Sequence, residues 1–275
     1  MRYYITIILI IIVIIFLMEN DRNFNNAPYG INRYYYSLFP LPFLGAYNSI
    51  IRYFNPSHIH KFNVENFKSD LLLKQNYKSI ANEANKLYED KKNLLNMKDL
   101  YENGFTRIDN EKNMWKVYVI KWYGKINEKI RKKCPITSQI IDNCTDIHVA
   151  MFSILEPGKF IPYHRGPSTS CLRYHLGLNI PKDYENCYIE VNKEKFNWRE
   201  GESFIFDDTY THCVYNNTSE PRIILFADIE RPLGSILKPI NQFLISHSGF
   251  NDFVKSVNDA VENKQNIQKE TFIIL

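Results

Sequence analysis

From Asp146 onward the hydrophobic period of the chain is two. The runs "DIHVAMFSIL", "CLRYHLGLNI", "CYIEVN", "ESFIFDD", "HCVYN" and "RIILFADI" are short and rich in β-branched and aromatic residues, and turn chemistry separates them in "EPGKF", "PKDYEN", "NWREGE" and "NNTSEP". Six or more short strands at this spacing argue for an antiparallel sandwich or barrel of the jelly-roll kind. The expected class is mainly β with flanking helices, because the segment before Asp146 follows a different period.

From about Phe62 the pattern is helical: Ile80, Ala84, Leu87 and Tyr88 fall on one face, with Asn and Lys on the other. A second helix is expected across "MWKVYVIKWYGKINEKIRKK", although its Val-Tyr-Val-Ile centre reads equally as a strand, and it ends before Cys134-Pro135. Helices first and strands after place the helices against one face of the barrel. Beyond Pro232, Phe253, Val257 and Val261 suggest one further helix. Residues 21–60, with "NAPYG" and "LFPLPFLGAY", read as a juxtamembrane connector without regular structure, allowing one short apolar contact.

The first eighteen residues, "MRYYITIILIIIVIIFLM", are almost unbroken apolar sequence, followed at once by "ENDRN". Spanning a bilayer core takes about 20 apolar residues, so this is a short membrane segment or a signal peptide. No small-residue cleavage site follows, which favours an uncleaved single-pass anchor over residues 1–20. Arg2 and Arg22 nearly balance, and the preferred orientation translocates the body to the lumenal side. The expected organisation is then a catalytic region over 61–235, helical from 61 to 145 with a jelly-roll core from 146 to 232, and a C-terminal extension over 236–275.

Hydrophobic residues make up 45% of the chain and aromatics 15%, a composition for a packed core. The net charge of +4 is spread thinly, without a basic block that would track phosphates, so nucleic acid is not an expected partner. No obligate protein partner is evident. Of the five cysteines, Cys134 and Cys144 could bridge in an oxidising lumen, whereas Cys171, Cys187 and Cys213 read as small buried strand residues.

Chemistry concentrates in "YHRGPSTSCLRYH". His164 precedes a Gly-Pro turn, where a side chain can project into a barrel mouth, and His212 begins a later strand. Two imidazoles from separate strands can bind one divalent metal and leave positions open, as non-haem Fe(II) oxygen chemistry requires. If His212 to Tyr215 pairs antiparallel with Arg222 to Leu225, Arg222 lies roughly 10 Å from the metal ligand, a span that suits a dicarboxylate chelating at one end and held by a guanidinium at the other. In "CLRYHLGLNI" one parity is apolar, and the other, carrying Arg173, His175 and Gly177, is either solvated or lines a polar pocket. Ser153 shares the parity of Val149 and Met151, which points its hydroxyl into the barrel. Asp207 and Asp208 could orient an imidazole, although a pair of turn-forming aspartates is the plainer reading.

Five stretches, "FSILEPG", "HRGPS", "LRYHLGLNIP", "GESFIFDDTYTHCVYN" and "PRIILFADIERP", in this order, resemble the catalytic domain of the aspartyl/asparaginyl β-hydroxylase family, Fe(II)- and 2-oxoglutarate-dependent dioxygenases with a double-stranded β-helix fold. The resemblance covers residues 147 to 232. It implies His164 and His212 as iron ligands, Arg222 with Ser153 on the distal carboxylate of 2-oxoglutarate, and Arg173 with His175 at its chelating end. Related dioxygenases place Asp or Glu two residues after the first His; this chain has Gly166, an absence that the resembled family shares. Arg165 and "STS" depart from the smaller polar residue and the Thr-Asn expected there, which leaves substrate contacts open. The implied activity is hydroxylation of an aspartyl or asparaginyl side chain of a protein, with O2 as oxidant. A lipid acyl chain is the alternative, since lipid A hydroxylases resemble the same family, and a membrane-tethered binding module without turnover is the reading from another class.

Overall fold

A computed structural model describes residues 2–23, 41–54, 61–90, 95–97, 114–123, 125–126, 128–166 and 168–247. The strands are β1 (Lys61–Phe62), β2 (Leu95–Asn96), β3 (Trp115–Trp122), β4 (Lys125–Ile126), β5 (Ile147–Leu155), β6 (Phe160–His164), β7 (Cys171–Asn179), β8 (Cys187–Val191), β9 (Glu194–Asn197), β10 (Ser203–Phe206), β11 (His212–Asn216) and β12 (Arg222–Glu230). The helices are α1 (Arg2–Asn23), α2 (Leu41–Phe54), α3 (Ser69–Gln75), α4 (Tyr77–Asp90), α5 (Glu128–Lys133), α6 (Pro135–Asp142) and α7 (Leu237–His247).

The major sheet runs β1-β10-β7-β12-β5-β3-β2, with β4 paired to β3, and the minor sheet runs β6-β11-β8-β9. From β5 onward the chain passes repeatedly between the two sheets, and the named strand pairs are antiparallel. This is the jelly-roll arrangement that the six period-two runs predict, and the double-stranded β-helix that the family resemblance implies. The prediction omitted β6 and β9, because Phe160 and Asn197 open or close strands inside segments dominated by turn residues.

Strand alternation divides the interior in two. Leu172, Tyr174, Leu176 and Leu178 join Phe152, Ile154, Leu225 and Ala227 on the outer face of the major sheet, where Leu73, Ile80, Ala84, Leu87, Ile140 and Ile141 of the helices cover them. The opposite parity, with Met151, Val149, Ile224 and Phe226, meets Ile189, Val191, Ile161 and Val214 between the sheets. The helices therefore lie against one face of the barrel, as expected. Two carboxylates fix them there. Asp70, in the first turn of α3, accepts from Tyr174 Oη at 2.9 Å and Ser203 Oγ at 2.5 Å. Glu83 of α4 accepts from the backbone of Ile136 and Thr137 at 2.9 and 2.8 Å and so caps α6, whose unpaired amides favour an anion there.

Three sequence expectations change. The Val-Tyr-Val-Ile segment is a strand, since β-branched and aromatic side chains pair along β5 from Leu155 to Val149, and among the described residues of the expected second helix Glu128–Lys133 alone is helical. The connector carries the 14-residue helix α2, because Tyr47 and Ile51, one turn apart, find a cover in Leu233, Leu237 and Leu244. Cys134 and Cys144 are separate buried thiols, bonded to Ser138 Oγ and the Ile140 carbonyl. The helix expected around Phe253, Val257 and Val261 lies outside the described residues. Among those described, α1 is the one helix long and apolar enough to cross a membrane, over Tyr3–Asn20.

Candidate functional site

His164 ends β6 and His212 begins β11, and the two are direct partners in the minor sheet. Their rings come together with centroids 4.0 Å apart. Each ring is oriented by its own chain: His164 Nδ1 bonds to the Pro162 carbonyl at 2.7 Å and His212 Nδ1 to the Tyr210 carbonyl at 2.8 Å. Backbone oxygens only accept, so both Nδ1 atoms carry the proton and both Nε2 atoms are left with a lone pair. Burial lowers the imidazole of His164 to about 3, with His212 beside it adding to the effect, and burial lowers His212 to about 4. Two neutral imidazoles with bare Nε2 lone pairs fit one divalent cation. Among the described residues no group of three or more His, Cys, Asp and Glu side chains is placed to hold a metal, so these two would be its side-chain ligands, with the remaining positions open.

Gly166 explains the missing third ligand in steric terms. A Cβ there would lie 2.1 Å from Asp208 Oδ2, so the space into which a side chain would project holds the carboxylate of Asp208. Arg173 grips that carboxylate through Nε at 3.1 Å and NH2 at 2.7 Å, and its NH1 pairs with Asp228. Burial, with Asp208 adding to it against the pull of Arg173, raises Asp228 to about 6. Asp207 faces away into a second buried pair with Arg231 at 2.5 Å and bonds the backbone and hydroxyl of Thr209 at 3.0 and 2.7 Å. Burial opposes its ionisation, yet Arg231 and Thr209 together hold it below its ordinary value. Neither aspartate bonds an imidazole; each braces the turn that leads into His212.

A line of rings leads inward from the histidine pair. Phe206 lies 5.6 Å from His212 and 5.2 Å from His175 by centroid. His175, on β7 between β10 and β12, is paired with Phe204 and Phe226. Trp198 Nε1 donates to His175 Nδ1 at 3.3 Å, which assigns the imidazole proton to Nε2, and this buried Nε2 has no partner. Burial, with Arg222 and Arg173 nearby, holds His175 well below its ordinary value, so the ring is a neutral donor. Trp198 reaches it because Gly177 allows the following backbone close: a Cβ at Gly177 would sit 2.0 Å from the Arg199 carbonyl oxygen.

Arg222 closes the line. Its guanidinium lies 4.6 Å over the Trp198 ring, and its NH2 donates to Ser153 Oγ at 3.2 Å, while Trp115 Nε1 donates to the same hydroxyl at 3.1 Å. The residue is 2% exposed, its Nε has no partner, and burial lowers it to about 10. Among the described residues no carboxylate pairs with it, so a buried cation stands without a counter-ion. The expected hairpin between His212 and Arg222 does not form: β11 pairs with β6 and β8, β12 with β5 and β7, and the two residues come from opposite sheets. Arg222 nevertheless opens into the same interior because both strands turn that parity inward.

His164, His212, His175, Arg222 and Ser153 thus lie along one path of side-chain contacts, and Arg173 stands near the end where the two histidines meet. Sequence reasoning missed Trp198, Trp115, Phe206 and Arg231. Trp198 lay inside a turn-rich stretch, and its use depends on Gly177, far away in sequence.

A family model described as aspartyl/asparaginyl beta-hydroxylase matches residues 74–232. The chain belongs to this family. An ornithine lipid ester-linked acyl 2-hydroxylase of Rhizobium tropici is 35% identical over 158 residues, covering 58% of this chain and 55% of that protein. The aspartyl/asparaginyl beta-hydroxylase of Mus musculus is 34% identical over 127 residues, 44% of this chain and 17% of the relative. Aspartate beta-hydroxylase domain-containing protein 2 of Xenopus tropicalis is 29% identical over 170 residues, 58% of this chain and 44% of the relative. The chain spans about half or less of the length of these curated relatives.

Proposed function

We propose that the protein is an Fe(II)- and 2-oxoglutarate-dependent hydroxylase whose iron is held by His164 and His212. The observation that carries this reading is the pairing of two bare Nε2 lone pairs with a buried, anion-free guanidinium at the other end of one path. A guanidinium removed from water without a counter-ion is costly, on the order of several kcal/mol, and a bound carboxylate would remove most of that cost. Arg222 and Ser153 hold the distal carboxylate, and the Nε2–H of His175 donates to the chelating end of the cosubstrate. Arg173 would keep the Asp208 carboxylate in the space that a side chain at position 166 would otherwise take beside the histidine pair. Iron and 2-oxoglutarate together supply the oxidation: O2 and 2-oxoglutarate become succinate, CO2 and one oxygen atom inserted into a substrate C–H bond. The protein would orient these groups in an apolar interior walled by Phe206, Phe226 and Trp198.

The substrate we favour is a lipid acyl chain, supported by the 35% identity to an acyl hydroxylase and by an apolar helix, α1, of membrane-spanning length. An aspartyl or asparaginyl side chain of a protein is the second reading, supported by the 34% identity to the mouse enzyme.

The test is turnover of labelled 2-oxoglutarate by the full chain with Fe(II) in lipid nanodiscs, followed by mass analysis of the lipids and of added Asp- and Asn-containing peptides. Labelled succinate with one oxygen gained in the lipid supports the favoured reading; oxygen gained in the peptide alone selects the second. Failure to bind 2-oxoglutarate in the presence of metal would overturn both.

A further inference from the structure

α7 has three faces. Leu237, Asn241, Leu244 and Ile245 turn inward, with Leu237 and Leu244 on Tyr47 and Ile51 of α2. Lys238, Gln242 and Ser246 form an exposed polar side on which Gln242 bonds Glu230 at 3.0 Å. The third face carries Ile236, just before the helix, with Ile240 and Phe243, at spacings of four and three that stack them in one row. Their exposures are 80%, 47% and 60%. A soluble helix would carry polar residues there, because the opposite side already supplies its core contact. The C-terminal end of α2 adds Tyr53 and Phe54, 78% and 66% exposed and packed edge to face with each other.

This row belongs to a connected body. Ser49 Oγ of α2 bonds the Leu17 carbonyl of α1 at 2.6 Å, and Tyr47 Oη of α2 bonds Asn241 Oδ1 of α7 at 2.5 Å. α1 shows apolar side chains to the outside on every side, among them Leu9, Ile12 and Phe16. A helix of this kind has the length and the all-round apolarity that suit a hydrocarbon layer. The same two helices hold the loop that follows His164. Asn48 of α2 accepts from Thr169 N and Oγ1 at 2.9 and 3.0 Å, and Asn241 Nδ2 of α7 donates to the Ser170 carbonyl at 3.0 Å.

We propose that Ile236, Ile240 and Phe243, with Tyr53 and Phe54, form a second membrane contact that lies in the bilayer interface and holds the loop after His164 close to the lipid surface. The occupant is the lipid interface because this row continues from α1, an apolar helix of membrane-spanning length, through two helices bonded to one another. Interfacial burial of one helical face suits a segment that is apolar on that side and polar on the other. The contact does not depend on iron chemistry, and turnover could fail while it stands.

The test places a nitroxide on the full chain in phosphatidylcholine–phosphatidylglycerol vesicles, at Ile240→Cys, Ile236→Cys, Ile12→Cys and Lys132→Cys in turn, beside the unsubstituted chain to account for the native thiols. Collisions with oxygen, which concentrates in lipid, are compared with those of a water-soluble nickel chelate. Labels at 12, 236 and 240 are expected to meet oxygen and exclude nickel, and the label at 132 to show the reverse. Nickel access at 236 and 240 equal to that at 132 overturns the proposal, as does nickel access at 12. Shielding of 236 and 240 from both reagents also overturns it, in favour of cover by a second copy or by the chain after His247. All four labelled side chains are exposed, so an unchanged thermal midpoint is expected and confirms that the labelled chains are folded.

Discussion

Replacing Arg222 with Met tests the path at its inner end. Arg222 is 2% exposed, its guanidinium bonds Ser153 at 3.2 Å, and it lies over Trp198. Its drop from 12.5 to about 10 corresponds to about 3 kcal/mol of disfavoured charge at about 1.4 kcal/mol per unit. Met gives up that bond, about 1 kcal/mol, and the cation–π contact, about 1 to 2 kcal/mol, while it fills most of the volume. The terms nearly cancel, so Arg222→Met should unfold within about 1 kcal/mol of the parent when no ligand is present. The two should part when 2-oxoglutarate is added with a redox-inert divalent metal. At a hundredfold excess over Kd the parent gains about 2.7 kcal/mol, a rise of roughly 5 to 10 °C for a chain of this size. The variant should gain almost nothing. Thermal unfolding with and without cosubstrate reads both quantities. A variant that loses several kcal/mol unliganded while keeping the full ligand-induced rise would refute the argument, because Arg222 would then be a structural cation whose partner is already present.

Other outcomes follow from the same geometry. Trp198→Phe removes the donor that sets the His175 proton on Nε2, a hydrogen bond worth about 1 kcal/mol, so 2-oxoglutarate affinity measured by calorimetry should weaken about fivefold, alongside a loss of about 1 to 3 kcal/mol in unfolding because the side chain is buried and stacks on Arg222. Gly166→Ala forces Asp208 off the Arg173 fork; the expected cost is about 3 to 5 kcal/mol from the broken buried pair, seen as a lower midpoint in chemical denaturation. The folded pKa values of His164 and His212 lie below the unfolded 6.5, so the folded state binds fewer protons; their contribution is complete above pH 6.5 and is lost as pH falls toward about 4 and about 3. Metal-free His212→Asn should therefore lose about 2 kcal/mol less than the parent between pH 6.5 and 5, as read by urea unfolding at each pH.

The parts of the fold and site legible in the sequence are those set by local period. The alternation in "CLRYHLGLNI" sets Arg173 and His175 on one face opposite the apolar one, leaving solvent or a pocket as its surroundings, and the parity of Ser153 points its hydroxyl inside, because a strand fixes side-chain direction residue by residue. Pairing partners are not local, which is why Arg222 was set in a hairpin with His212 when their strands belong to opposite sheets. The strand at Trp115–Trp122 was ambiguous for a related reason: its apolar run becomes a strand through β5, a partner the run itself does not specify. α2 escaped notice because its inward residues, Tyr47, Asn48 and Ile51, gain a surface to cover only when α7 and the loop after His164 are in place. The roles given to Trp198 and Gly177 depend on one backbone approach between distant segments, and no spacing in the sequence signals it.

The most direct test of the central claim is an anaerobic titration of the Fe(II)-loaded full chain with 2-oxoglutarate, following the visible charge-transfer absorption of a chelated 2-oxo acid. The absorption should develop and saturate in the parent, fail to develop in His164→Ala and His212→Ala, and require far more 2-oxoglutarate in Arg222→Met. Absorption that never develops in the parent, or that saturates at the same concentration in Arg222→Met, would contradict the assignment of the two ends of the path.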